Sequence, residues 1–329
     1  MDTKYEILRT LREKNGASVS GQELSDTLGI TRTAVWKHIR ALQEEGYQIE
    51  ALNRKGYRLS GVPDTIAARE VGSRLTTHRM GREIRYFSTI DSTNQFAKKI
   101  AEEGAADGTL IIADEQTAGK GRSGRHWVTR PGEAASFTLI LRPKLPPDKV
   151  SMVTLVMGLA VSNTVHALYD VDAGIKWPND VVLDGKKICG ILTEMSAEIN
   201  EVHYIVIGVG INANMTQIPQ ELMQTATSLE LVLGRSVNRA QLLAVLMQEF
   251  EDLYERFEET GSLKDMMEAY NRVCVNQDRP VRVLDPKGEY TGIARGIDEH
   301  GVLLVETEEG SLSRVSSGEV SVRGIYGYV

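Results

Sequence analysis

Cysteine is almost missing from this chain: Cys189 and Cys274 are the two in 329 residues. Two cysteines exclude a disulfide framework and cannot complete a four-ligand zinc site. Long apolar runs are missing too. The longest, 152–161, is broken by Thr154 and Gly158 and falls far short of the roughly 20 residues a bilayer span needs. The opening stretch MDTKYEILRTLREKNG alternates charge with aliphatics and holds no signal-peptide core, so a reduced, cytoplasmic setting is expected. Aromatics make up 6%, which argues against a stacking-rich single-strand binder. No two histidines stand at i, i+4 and G-x-S-x-G does not occur, which removes zincin and serine-hydrolase readings. Excess positive charge is the last absence. The net charge is −7, and the chain after residue 60 sums to −9, so its bulk does not bind nucleic acid nonspecifically.

The first sixty residues differ, with ten Lys/Arg against eight Asp/Glu. Tyr5, Ile7, Leu8 and Leu11 recur at helical spacing up to Gly16. Ser20 to Glu23 reads as a capping box that opens a second helix. A glycine turn at 29–31 leads to a third, with Val35, Ile39 and Leu42 as its buried stripe. That helix turns Arg32, Thr33, Trp36, Lys37 and Arg40 outward. Residues 47–60 read as two short strands around Asn53-Arg54-Lys55-Gly56. This is the winged helix-turn-helix pattern, which places the third helix in a major groove and the hairpin on phosphates. The competing reading is a small docking module with a solvated charged face.

Val62-Pro63-Asp64 reads as a linker. Beyond it, strands are expected at 109–114, 135–141, 181–183, 188–195 and 202–211, the last three consecutive and antiparallel. Helices are expected at 150–168, 239–257 and 263–271. Strands in series with helices grouped apart indicate α+β. From Pro280 onward about five short strands, separated by turns near 285–288, 298–301 and 308–310, suggest a small SH3-like barrel.

Three constellations in the middle carry chemistry. GKGRSGRHW at 119–127, preceded by Gln116, reads as a loop between strands where glycines let backbone approach an anion and Lys120, Arg122 and Arg125 neutralise it. Its spacing is not that of a P-loop. KWPND at 176–180 can fix Lys176, Asn179 and Asp180 in one geometry, and Lys187 opens the return strand, where a lysine is well held for transition-state charge. A structural Trp-Pro corner with a solvated lysine pair is the plainer alternative. Ser92-Thr93-Asn94 opens a helix, with capping as its simplest role. Gly208-Val209-Gly210-Ile211-Asn212-Ala213 fits a relaxed dinucleotide fingerprint, but Pro219 interrupts any helix that would receive a pyrophosphate.

Taken in order, STNQ at 92–95, the glycine-arginine stretch at 119–125, KWPND at 176–180, Lys187 before I-C-G-I-L and GVGIN at 208–212 resemble the bifunctional biotin ligases that also repress biotin operons. The resemblance runs essentially end to end. It implies three parts: a winged helix-turn-helix (1–62), a biotin/lipoate-ligase domain with a mixed, mainly antiparallel sheet (63–274) and an SH3-like domain (275–329). It implies that Ser92, Thr93, Asn94 and Gln116 hold the ureido ring of biotin. Gly119, Lys120, Gly121 and Arg122 would close over the ligand, with Lys187 at the acyl carbonyl and α-phosphate. Arg122 and Lys187 would serve catalysis. Arg125, Trp127, Lys176, Asn179 and Asn212 would serve the nucleotide. ATP with Mg²⁺, near Asp180, would form biotinyl-5′-AMP. The biotin would pass to a lysine of a biotin carboxyl carrier protein. The adenylate would act as corepressor, favouring a homodimer on operator DNA read by Arg32, Thr33, Trp36, Lys37, Arg40, Arg54 and Lys55. The flat strand 202–211 is the candidate edge for that dimer. The family usually has arginine where Lys120 stands. A ligand-sensing repressor without catalysis and a lipoate-type ligase are the alternatives.

Overall fold

In the computed structural model, residues 3–53, 55–285, 288–316 and 321–324 are described. Arg54, one of the expected DNA contacts, lies outside them. The amino-terminal unit is α1 (Thr3–Glu13), α2 (Gly21–Leu28), α3 (Arg32–Glu44) and the hairpin β1 (Gln48–Leu52)–β2 (Gly56–Gly61). Its caps are those the sequence announces. Ser20 Oγ accepts from Glu23 N at 3.0 Å, Thr31 Oγ1 accepts from Ala34 N at 3.2 Å, and Gly29 takes the left-handed turn at φ 63° that a side chain resists. Val35, Ile39 and Leu42 are buried among Ile7, Leu8 and Leu11 in a core separate from the rest of the molecule.

The chain continues through α4 (Ala68–Gly72), β3 (Ile84–Ile90), α5 (Thr93–Glu102), β4 (Leu110–Lys120), β5 (His126–Thr129), β6 (Ala134–Leu141) and α6 (Val150–Tyr169). Then follow β7 (Gly174–Lys176), β8 (Asp180–Leu183), β9 (Lys186–Ala197), β10 (Val202–Asn212), α7 (Leu229–Leu233), α8 (Arg239–Thr260) and α9 (Met267–Val273). Seven strands lie in the order β3-β4-β6-β10-β9-β8-β7, with β5 paired to β4. β3 runs parallel to β4 and the other pairs are antiparallel, as expected for an α+β unit with a mixed sheet.

Side chains on a strand alternate between faces, and here the two faces are used differently. Ala135, Phe137, Leu139 and Leu141 of β6 join Ile205, Ile207, Val209 and Ile211 of β10 in the large core with α6 and α8. α6 is apolar enough in composition to cross a membrane, yet 72% of its most apolar window is buried here; it is the central core helix. The other face seats α5 on Ile111, Ile140, Tyr204 and Val206.

Two expectations change. The sequence reading ends a strand at 114 and makes 119–127 a loop. In fact β4 runs on to Lys120 and β5 returns beside it, pairing Gly119 with Trp127 and Lys120 with His126. The residues from Asp114 onward conceal the strand because they supply no apolar face: Asp114 pairs with Arg239, Gln116 and Lys120 line the cleft, and Thr117 is exposed. The strand 202–211 is no edge: β10 is paired to β6 on one side and β9 on the other. Apolar residues on both faces mark an interior strand, whereas edges carry charge.

The carboxy-terminal strands are β11 (Pro280–Asp285), β12 (Gly288–Ile297), β13 (Leu303–Thr307), β14 (Leu312–Val315) and β15 (Ser321–Gly324). They form an antiparallel sheet, β14-β13-β12-β11-β15, and their Val281, Val283, Leu303 and Val305 belong to the same core as α6. Trp177 joins the units, donating from its indole to Gly301 O at 3.2 Å. Both cysteines are buried and free. Burial pushes the Cys274 thiol up to about 11, leaving it inert at neutral pH.

The loop at 78–80 depends on one carboxylate. Glu251 of α8 is fully buried and accepts from the backbone N–H groups of His78 (2.9 Å), Arg79 (2.7 Å) and Met80 (2.7 Å). Glu251→Ala would orphan three backbone donors, that of Met80 fully buried, and should lower the unfolding free energy by about 2 kcal/mol or more. Urea denaturation followed by the fluorescence of Trp127 and Trp177, in a Trp36→Phe background, checks this; an unchanged midpoint contradicts it.

Candidate active site

Where α5 begins, the sheet face beneath it changes composition. Along β10, Tyr204 and Val206 give way on the same face to Gly208 and Gly210. A Cβ at Gly208 would fall on the Asn94 amide, and one at Gly210 on the Trp127 indole. At Gly190 of β9 it would lie 2.8 Å from Lys187 Nζ. The sheet floor is therefore bare backbone, and a cleft open to solvent lies above it.

One end of the cleft is neutral and polar. Ser92, Thr93, Asn94 and Gln116 line it and are nearly inaccessible. Ser92 sits at the N-cap of α5 but its hydroxyl makes no capping bond, so capping is not its work. The Thr93 N–H (2.9 Å) and hydroxyl (3.0 Å) both donate to Gln116 Oε1, which orients the Gln116 amide with its NH₂ left to donate. The Thr138 hydroxyl, buried on β6, donates to Asn94 Oδ1 at 2.6 Å and lies 2.8 Å from Thr93 Oγ1. Asn94 Nδ2 in turn donates to Glu194 Oε2 at 2.9 Å, and Lys98 Nζ to Glu194 Oε1 at 2.8 Å. Burial opposes charge on Glu194, but the bonds from Lys98 and Asn94 outweigh it and hold the carboxyl below its ordinary range. Thr138 and Glu194 escape a sequence reading because neither belongs to a motif; their strand faces alone would have suggested them.

The other end is cationic. Lys120, Gly121, Arg122, Trp127, Asn179 and Lys187 line it. Arg122 Nη1 donates to Asn179 Oδ1 at 2.8 Å. Burial draws the Arg122 guanidinium below its usual pKa, with Asp180 opposing that shift; arginine stays charged in either case. Lys187 Nζ is 2.5 Å from Asp180 Oδ1 and 5.9 Å from the centre of the Trp127 ring. Lys120 stands at the end of β4, and its charge is felt at Glu194.

The remaining candidates stand back from the cleft. Gly119 is buried behind Trp127, where a Cβ would strike the Trp127 carbonyl. Arg125 and His126 are exposed. Lys176 is buried beside the Trp177 corner. Asn212 donates from Nδ2 to Thr227 O at 2.9 Å, and Thr227 N–H donates to Lys187 O at 2.9 Å, so Asn212 props the segment flanking Lys187. Among the described residues, no three His, Cys, Asp or Glu side chains converge as a metal cage. A divalent ion there would rest on a ligand's phosphates with one carboxylate at most, the usual habit of Mg²⁺. In the amino-terminal unit, Arg32, Thr33, Trp36, Lys37, Arg40 and Lys55 are all exposed, on α3 and at the hairpin tip. The Arg40 guanidinium lies 5.2 Å from the centre of the Trp36 ring.

A mixed sheet carrying such a cleft, a helix-turn-helix before it and a small β-sheet after it define a multidomain protein ligase of the biotin/lipoate type. The matching family models are an HTH domain (residues 3–58), the biotin/lipoate A/B protein ligase family (86–212) and the biotin protein ligase C terminal domain (278–323). The chain belongs to the family of bifunctional ligase/repressors. It is 39% identical to the bifunctional ligase/repressor BirA of Bacillus spizizenii over 97% of this chain and 98% of that one. With BirA of Escherichia coli the identity is 31%, over 94% of each. Among solved structures, the biotin protein ligase of Aquifex aeolicus in complex with biotin and ATP superposes with a TM-score of 0.66. It shares 30% identity and covers 74% of this chain and 99% of its own.

Proposed function

We propose that the protein activates biotin with ATP, transfers it to a lysine of a biotin carboxyl carrier protein, and represses transcription with biotinyl-5′-AMP as corepressor. The observation that carries this is the gradient along one cleft, from oriented neutral hydrogen-bonding groups to a cluster of cations. A cyclic urea offers two N–H donors and a carbonyl, matched by Ser92, Thr93 and the free NH₂ of Gln116. A lipoyl or octanoyl tail would leave these buried groups unpaired, which is costly.

In the first step a carboxylate oxygen of biotin attacks the α-phosphorus of ATP, and the bond to pyrophosphate breaks. Two anions must approach, and Lys120, Arg122 and Lys187 offset their repulsion. Asp180 holds Lys187 by a 2.5 Å bond, so the ammonium is placed before substrate arrives. Lys120 acts as a point charge, sufficient where no bidentate fork is required. Mg²⁺ enters with the nucleotide as part of the substrate. In the second step the acceptor's ε-amine attacks the acyl carbonyl, the bond to AMP breaks and the amine loses a proton. Arg122, held by Asn179, retains the adenylate until then.

Repression requires two copies, because α3 and the hairpin bring too few cations for tight binding by one unit at physiological salt. Beyond Gly190 the outer edge of β9 has no strand partner among the described residues. We place the pairing edge at 192–197, in place of β10. It carries Glu194, and with it Asn94, so ligand and dimer would share one element.

Calorimetry with biotin, lipoate and octanoate, each with and without ATP, tests the substrate. Biotin alone should bind, and more tightly with ATP; preference for lipoate would reject this reading. Lys187→Met keeps the stem and removes the charge, and should slow single-turnover adenylate formation by at least about 10²-fold. A near wild-type rate would take Lys187 out of the mechanism. Titration of operator DNA with protein alone, with biotin, and with biotin plus ATP should show the tightest binding in the last, accompanied by dimer in sedimentation. Equal affinity in all three would make the winged unit a constitutive binder.

A further inference from the structure

The winged unit has its own apolar core and is joined to the ligase unit by a short segment after residue 61. The contacts that hold it there centre on one buried polar residue. Glu70 of α4 is fully buried although it is a carboxylate. Arg12 of α1 donates from Nη2 to both Glu70 oxygens at 2.6 Å, and its Nη1 meets Ser73 Oγ. The Tyr47 hydroxyl, from the turn after α3, donates to Glu70 Oε2 at 2.7 Å. Arg74, from the ligase side, donates from Nε to Oε1 at 2.9 Å. Each oxygen thus accepts two bonds, which uses the carboxylate's capacity in full. Burial and Glu70 raise the Tyr47 phenol above its ordinary range, so it remains a donor.

Around this centre the contacts are also specific. Glu45, at the end of α3, is paired with Lys4 at 2.5 Å and with Arg69 across the boundary. The Tyr5 ring packs so closely on Gly72 that a Cβ there would lie 2.8 Å from it. The connecting segment is itself tied down, since Asp64 accepts from the buried Arg239 at 3.2 Å. Such a junction has one geometry. An apolar contact of equal area could slide, but a carboxylate held by directed bonds from three side chains cannot.

We propose that Glu70 is a positioning residue for operator binding: it fixes the winged unit on the ligase unit, so that two copies present their third helices at one separation and one rotation. This rests on the two-copy reading above. The structural reason is geometric. Adding one base pair to DNA moves a half-site by about 3.4 Å and turns it by about 35°, and a rigid pair cannot follow both changes. A pair hinged at 62–63 can follow, at the cost of a lower effective concentration for the second half-site.

The test uses the full chain with biotin and ATP, and a two-half-site duplex selected from random DNA by the wild-type protein. Duplexes with one base pair added to or removed from the spacer complete the set. Wild type should lose at least about 10-fold in affinity on either change. Glu70→Gln places an amide where two arginines require an acceptor. It should bind the selected duplex several-fold more weakly yet lose less than about 2-fold on changing the spacer. Biotin transfer should be unchanged, which shows that the ligase unit is folded. If Glu70→Gln does not fold, Arg12→Gln and Tyr47→Phe break the junction from the winged side and should relax spacing in the same sense. Spacing discrimination retained in the variants overturns the proposal. A wild type that dimerises on DNA without discriminating spacing overturns it too, while leaving ligand-dependent repression intact. A wild type that binds only as single units rejects the two-copy reading, and the proposal with it.

Discussion

Everything in the ligase unit follows from the two-residue alternation of its sheet. One face is continuously apolar and takes α6 and α8. The other takes α5 over part of its length and is left bare over the rest. Because the strands are shared, ligand floor and protein core are opposite sides of the same backbone. Ile207, Val209 and Ile211 are locked into the core, and that locks Gly208 and Gly210 beneath the cleft. The site needs no framework of its own.

On this floor the two ends of the cleft are built by different means. Hydroxyls and amides at the start of α5 are oriented by one another and by Thr138, so their free directions are fixed before a ligand arrives. The cations come from three separate elements, with Arg122 restrained by Asn179 and Lys187 by Asp180. In the proposed reaction the neutral groups give identity, whereas the charged groups bring reacting anions together. The division matches a molecule whose recognised ring and reacting carboxylate lie at opposite ends.

Much of this was legible in the sequence. The winged unit was readable because its helices carry caps, a glycine turn and a single apolar stripe each. The antiparallel series at 181–211 was readable because Asp184-Gly185 is strong turn chemistry. The extension of β4 through Gln116 was not, since polar residues facing a cleft look like a loop. β3 was missed for a related reason: Ile84–Ile90 is half exposed, and its partner β4 defines it. The edge assigned to β10 failed because β-branched content reports burial of the faces and says nothing of which edges are paired. Asn212, grouped by motif with the nucleotide contacts, also donates to Thr227 O, a contact hidden from the sequence because it depends on the path of residues 213–228. The Glu70 junction was invisible, because Arg12, Tyr47 and Glu70 meet only in three dimensions.

A floor made of glycine can be altered in one direction only. Any substitution at positions 190, 208 or 210 adds atoms, so mutation can narrow this part of the cleft and never widen it. Room for a bulkier group over Gly210 must come from the walls, where Trp127 is the largest side chain available to shrink. Trp127 also stands beside Lys187, so trimming it would disturb the ammonium that the proposed chemistry uses. Altered ligand choice and retained chemistry are thereby set against each other at a single indole, which limits how far such a protein can drift toward larger substrates.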